Sequence, residues 1–437
     1  MKKIISFIYL CVATFFVAQT INSQDIRRDE ARLVSTTTTT DIYETIDFAR
    51  YINLVGQNNL GFIAEKFNVD IADALARAER VFPDPELTAT FYDNDAGSVL
   101  FGRGLELELG YDLEISGQRR SRIRLAKSEA EMARILLDAA LADLRADAAI
   151  AFLESQKQMR MLNLMQESYD AMQQIHKFDS LRFVLGEIPE IEFLQTRLET
   201  AMIRNQVFEQ EAEVKSAMAA LNEMAGRDPL SLLMPATPLS KPVPRDYILG
   251  DLLIYALDDH VDLAVVMQEK QITRDELRLV RAERGMELGL NLAYELREGN
   301  GDWMGFNSVA VGVTIPLRFS NLNKGNLRAA QFAVEQAETG YRAMELEVKR
   351  DISQVFFMYE GLQRQVAQFE TGMLDDARRI FEGEVFSYNN GETSLLEVLI
   401  ARRTYNEVSE EYITALFEYA SSVVELNRTS GMWEVEF

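Results

Sequence analysis

The chain has 437 residues, 47% of them hydrophobic, and a formal net charge of −24. That is more than one ordinary domain needs, with ample apolar content for a folded body. The negative charge argues against nucleic acid or an anionic membrane surface as a partner. Acidic and basic residues mix along most of the chain, so the acidity is not one tail and equally serves solubility. Residues 1–23 carry Lys2-Lys3, an apolar run from Ile4 to Ala18 and a polar end, the pattern of a secretory signal peptide. The single cysteine, Cys11, lies inside that run behind Tyr9-Leu10, not behind the small residues a lipid-attachment site wants. A mature chain would then have no thiol for a disulfide or a thiolate metal site. No later stretch holds 18 consecutive apolar residues, so a membrane-spanning helix is not expected.

The rest of the chain is written twice. With an offset of 204, Tyr43, Asp47 and Tyr51 land on Tyr247, Asp251 and Tyr255, Arg124 on Arg328, Asp147 on Asp351 and Phe152 on Phe356. Further on the offset becomes 205, which joins Gly186 to Gly391 and Glu192 to Glu397. The expected organisation is a first repeat over 41–228, a proline-rich linker over 229–244 and a second repeat over 245–430.

Each repeat starts with a helical segment, 43–81 or 247–284, and continues into alternating stretches. In 105–115 the apolar residues Leu105, Leu107, Leu109, Tyr111, Leu113 and Ile115 alternate with Glu106, Glu108, Asp112 and Glu114. Val309, Val311, Val313 and Ile315 repeat the pattern, as do Leu288, Leu290, Leu292 and Tyr294, and more weakly Leu87, Ala89 and Phe91. Period two over about ten residues predicts strands of membrane-crossing length. They form two hairpins, 86–115 and 286–319, with polar loops expected at 93–104 and 297–307. Two hairpins leave sheet edges open within one chain. Three copies of four strands would close a barrel with apolar residues toward lipid and acidic ones toward the lumen.

Long helices follow. Residues 118–185 contain neither glycine nor proline, so nothing interrupts a rod of roughly 100 Å. In the second repeat Gly340, Gly361, Gly372 and Gly383 are candidate bends. Gly186 and Gly391 suit the ends of the outgoing helices, and Pro189 suits the start of the next. The returning helices step by 3 and 4, through Val398, Ala401, Tyr405, Val408 and Tyr412, and through Ile191, Leu194, Leu198, Ala201, Asn205 and Phe208. Each repeat therefore ends in a long helical hairpin, with tips near 186 and 391.

On the duplicated plan, the segment FPDPEL (82–87) and the Gly-x5-acidic turns Gly186–Glu192 and Gly391–Glu397, the sequence resembles the TolC-like outer membrane efflux proteins over essentially the whole mature chain. The resemblance implies an α+β membrane protein. Its duplicated helical hairpins form a trimeric periplasmic α-barrel, and four strands per chain enter a shared 12-stranded transmembrane β-barrel. It implies a passive exit duct of a tripartite efflux pump or type I secretion system in the cell outer membrane, and no enzyme. Its partners would be two further copies, a periplasmic adaptor docking at the tips around Gly186 and Gly391, an inner-membrane transporter and outer-membrane lipid. The family's latch falls on Tyr388 and Glu192. Its arginine two residues after the second tip glycine is Thr393 here. Its pore aspartates fall on Glu397, which keeps the charge, and Ile400, which loses it. For Glu192 and Glu397, simple support of their helix starts is an equal reading. The rival class is a soluble periplasmic coiled-coil adaptor or scaffold.

Nothing else points to chemistry. His176 and His260 have no second histidine nearby and read as surface residues. Met159, Met161 and Met165 read as core filling before soft-metal ligands. No cofactor, phosphate loop, nucleophile triad or zinc spacing is present.

Overall fold

The computed structural model describes residues 44–93, 103–231, 233–243, 245–285, 287–299, 302–316 and 323–435. The expected signal peptide lies outside them, as does most of the 93–104 loop. Strand β1 (Glu44–Ile46) leads into helices α1 (Phe48–Asn58) and α2 (Leu60–Ala78), then strands β2 (Glu86–Asp93) and β3 (Arg103–Glu114). Helices α3 (Gln118–Val184) and α4 (Glu190–Met224) and the short strand β4 (Leu233–Pro235) complete the first repeat. The second has α5 (Leu249–Asp259), α6 (Val261–Glu283), β5 (Glu287–Gly299), β6 (Asp302–Thr314), α7 (Lys324–Gln368), α8 (Leu374–Asn389) and α9 (Leu395–Ser430). From Thr45 onward the described residues form one compact unit.

The predicted opening helices are each broken once, because a side chain re-caps the backbone at the break. Asn59 accepts from the Phe62 N–H at 2.9 Å, and His260 Nδ1 accepts from the Asp262 N–H at 3.2 Å. Burial here follows an offset of 201 rather than 204. Tyr51, Val55 and Phe62 are buried, and so are Leu252, Ala256 and Leu263. Tyr51 is 0% exposed whereas Tyr255, its sequence match, is 57% exposed. The matching letters misplaced the helix by nearly one turn, and packing sets the true alignment.

The four long strands form an antiparallel sheet in the order β2-β3-β5-β6. Leu109 faces Leu87 and Leu292, Leu107 faces Tyr294, and Leu292 faces Val311, so every apolar row shares one side. That side is uncovered, with Val311 80% exposed. The other side is acidic. Glu106 opposes Glu295 and Glu114 opposes Glu287, pairs that repel unless compensated. Arg122 binds Glu114 at 3.1 Å, and Gln118 donates to Glu287 at 2.7 Å. The expected loop 297–307 is mostly strand. Pairing continues from Arg297↔Phe306 to Gly299↔Asp302 across a bulge. The apolar alternation stops at Leu296, so the polar residues beyond it read as loop although the pairing goes on.

The linker 229–244 is packed rather than free. Leu233 and Leu239 are buried, β4 pairs with β1, and the Ala236 N–H donates to the Ile46 carbonyl at 2.8 Å. It lies against the main core, where Phe152 meets Tyr51 and Phe48, and Tyr359 meets Tyr247 and Tyr419, at ring separations of 5.3–5.5 Å.

Helix α3 runs unbroken for 67 residues. Of the four candidate bends in the second repeat only Gly372 breaks the helix, at φ +127° within a π turn over Phe369–Met373. On α9 the predicted seam is the packed one, with Val398 and Ala401 buried. On α4 it is not. The buried face is Thr196, Thr200, Ile203, Val207, Val214, Met218 and Leu221, while Ile191, Leu198 and Phe208 are exposed. α4 carries two apolar faces, and the chain covers only one. Among the described residues no helix is long and apolar enough to cross a membrane.

Candidate functional site

The two tips have the same backbone. At the first, the Gly186 N–H donates to Phe183 O at 3.0 Å and the Glu187 N–H to Arg182 O at 2.9 Å. At the second, Gly391 donates to Tyr388 O at 3.0 Å and Glu392 to Ser387 O at 2.9 Å. Both glycines sit at φ +75 to +76°, the left-handed conformation that closes a helix and that side chains with a Cβ disfavour.

Tyr388 lies in the last turn of α8, 2% exposed, among Met172, Ile175, Ile203, Leu395 and Val398. Its hydroxyl reaches two carboxylates, Glu192 Oε1 at 2.9 Å and Asp179 Oδ1 at 2.8 Å. The structure thus brings Tyr388 and Glu192 together and adds Asp179. That residue is 0% exposed on α3 and was not read from the sequence; a single Asp three residues before Arg182 looks like a surface pair. Burial first, and then the two carboxylates accepting its proton, push the Tyr388 phenol above its ordinary range. Burial also pushes the Asp179 carboxyl up, with the Glu192 charge adding to it and Tyr388, Thr196 and Arg182 opposing.

Position 393 holds Thr393 and no cation, but a cation does stand beside Tyr388. The Arg182 guanidinium lies 5.7 Å from the Tyr388 ring centre, 4.0 Å from Asp179 and 3.7 Å from Glu187. Thr393 itself hydrogen bonds with Glu384 at 3.1 Å and with Glu397. Glu397 is not brought to the latch. Its Oε2 accepts from the Ser394 N–H and hydroxyl, both at 2.8 Å, and from Thr393. These bonds, Thr393 first, hold its carboxyl down at about 2, so it stays charged. Ile400 is exposed one turn further along α9.

The histidines are not plain surface residues. Half-buried His176 stacks on Phe193 at 5.4 Å, which stacks on Phe183 at 5.1 Å, bracing the first tip. His260 caps α6, and burial lowers its pKa. Met161 packs on the main core. Above the latch, α9 is tied to α4 by the buried Arg402, paired to Glu199. An apolar groove of about 510 Å³ opens between α3 and α8 beside the latch, lined by Ile175, Phe178, Phe381 and Val385.

The comparisons with known proteins agree with this architecture. The sequence model of the family described as "Outer membrane efflux protein" matches residues 51–227 and again 252–432. The two matches start 201 residues apart, the offset that burial sets in the opening helices. The cobalt-zinc-cadmium resistance protein CzcC of Cupriavidus metallidurans is 22% identical over 386 residues, spanning 87% of this chain and 88% of that protein. The Campylobacter jejuni CmeC outer membrane channel superposes with a TM-score of 0.74 at 16% identity, covering 92% of this chain and 91% of its own. The open state of the Neisseria gonorrhoeae MtrE outer membrane channel gives 0.70 at 16% identity, covering 91% and 94%. With the family matched over both repeats and the TolC-like fold found in solved channels, this chain belongs to the outer membrane efflux protein family, as a conduit of the outer membrane with a periplasmic helical extension and not an enzyme.

Proposed function

We propose that three copies of this chain form one efflux conduit, and that Tyr388 holds its periplasmic mouth shut. Assembly is supported by surfaces that one chain leaves uncovered: the apolar side of the sheet, the outer edges of β2 and β6, and the second apolar face of α4. Twelve strands close a barrel and bury those edges. The gate rests on one observation. A single hydroxyl ties α8 of the second hairpin to both helices of the first. A periplasmic adaptor would engage the tips around Gly186 and Gly391, where the groove between α3 and α8 offers apolar surface, and an inner-membrane transporter would supply the energy. Residues 1–23 would direct export. The test is conductance of the purified protein in planar bilayers. Tyr388→Phe should raise the open fraction with the trimer intact, and an unchanged open fraction would remove the gate.

For the cargo we infer divalent metal cations. CzcC, similar over most of both chains, is named for cobalt, zinc and cadmium resistance. The acidic side of the sheet, with Glu106, Glu108, Asp112, Glu114 and Glu295, would line the lumen and favour cations. Deleting the gene should lower tolerance of zinc, cobalt or cadmium and leave tolerance of lipophilic dyes unchanged. The opposite pattern would overturn this assignment.

A further inference from the structure

The latch has more acceptors than protons. Tyr388 has one hydroxyl proton, yet its oxygen lies 2.8 Å from Asp179 and 2.9 Å from Glu192. If both carboxylates are charged, one of these contacts has no proton in it and sets an anion against the phenol oxygen. The other oxygen of Asp179, Oδ2, is buried without a hydrogen-bond partner. Thr196 beside it has one hydroxyl proton, bonded to the Phe193 carbonyl at 3.1 Å, and supports the Asp179 charge only at that bond's expense. A buried charged carboxylate with an unmet oxygen is costly. One added proton fills the empty contact and neutralises the buried carboxyl, so that Oδ2 is left as the oxygen of a neutral acid and not of an anion. Protonated Asp179 donates to the Tyr388 oxygen, Tyr388 donates to Glu192, and each short contact then contains one proton.

We propose that Asp179 is a residue of the latch and its proton-binding element, so that the tip closes more tightly as the periplasm acidifies. This rests on the gate reading of Tyr388. The groups around Asp179 give the direction. On α3, Arg182 lies 4.0 Å away and favours the charged form, as does Thr196 from α4. From α4, Glu192 favours the neutral form, and from α8 Tyr388 bonds directly. His176 meets the site only through Thr196, at 3.3 Å. Glu384 is engaged by Thr393, and from α9 Arg402 is paired with Glu199 while Glu397 caps its own helix. Burial is the largest influence and favours the neutral acid. The latched state therefore binds more protons than a released one in which Asp179 meets water. Its extra stability is complete below the ordinary aspartate range and is lost as pH rises through the raised value.

The experiment records gating of the full-length trimer in planar bilayers while the tip-side chamber is stepped from about pH 8 to about pH 5. The wild type should close on acidification, by at most about tenfold in open fraction per pH unit for each coupled latch. Asp179→Asn, which carries donor and acceptor at every pH, should stay shut and lose the response. Asp179→Ala should stay open, and His176→Gln should keep the response. A wild-type response in Asp179→Asn, or an Asp179→Asn pore as open as Asp179→Ala, would overturn the proposal. Tyr388→Phe serves as the separate control; if it gates like the wild type, the gate reading itself fails. Infrared difference spectra give a second readout that needs no working pore. A protonated-carboxyl band should grow on acidification and be missing from Asp179→Asn; the same band in both would place the proton elsewhere.

Discussion

Glu192 and Glu397 occupy the same place in the two repeats, the third residue of the helix after the tip, yet only Glu397 caps its helix. The residue before each helix decides this. Ser394 offers an N–H and a hydroxyl to Glu397, while Pro189 has neither. Glu192 is left to reach Tyr388. Pro189→Ser should draw Glu192 back onto its own helix start. Helix α4 should gain about 0.5–2 kcal/mol from the new cap, while the open fraction rises. Thermal unfolding and bilayer conductance on the same sample check the two opposite changes.

Removing the latch bonds should act on gating before stability. Tyr388→Phe removes, and Glu192→Gln weakens, a hydrogen bond to a charged group, worth about 1.5–3 kcal/mol. A closed pore open roughly 1% of the time would then open about tenfold more often or beyond. Single-channel recording reads this, with trimer content checked by native mass measurement in detergent.

Glu397→Gln should loosen the first turn of α9 and lower cation preference while leaving the latch in place. Its carboxyl is held at about 2 against an ordinary 4.5. The folded pKa is depressed, so the stabilisation is present above 4.5 and fades as pH falls toward 2. Amide exchange at Leu395–Val398 should be faster in the variant at neutral pH, and the difference should shrink through that acid window. Reversal potentials measure the ion preference.

At the tips, Gly186→Ala and Gly391→Ala should each cost about 1–2 kcal/mol. Nothing lies within 4 Å of an added Cβ at either site, so the cost is backbone conformation alone. Equal losses at both tips, read by denaturant unfolding, are the expected outcome.

On the sheet, Val311→Arg should block barrel formation, at about 2–4 kcal/mol for a cation toward lipid. Glu108→Arg, on the opposite side, should still assemble. Heat-resistant trimer on a gel separates the two.

The sequence showed the features that local chemistry controls. Period-two alternation marked the strands, and 68 residues without glycine or proline marked α3. It misplaced features settled by packing. The apolar stripe of Ile191, Leu198 and Phe208 looked like the α4 seam because it is the more hydrophobic face; the chain buries the Thr196–Ile203 face instead. Tyr51 and Tyr255 match as letters but not as positions. The latch was legible only in half. Tyr388 and Glu192 stand at fixed distances from the tip glycines, whereas Asp179 is an aspartate within a charged helix, and only its burial singles it out.

The break at Gly372 makes the two hairpins mechanically unequal. α3 is one beam from the sheet to the tip, so deflecting its end means bending 67 residues. α8 is a short arm of 16 residues, about 24 Å, hung from α7 by a joint that already departs from helical geometry. Release of the Tyr388 hydroxyl would therefore leave the arm freer to swing than the beam. If Tyr388 is the gate proposed above, motion of the mouth would fall on the second hairpin, with the stiffness of that joint setting how far it travels.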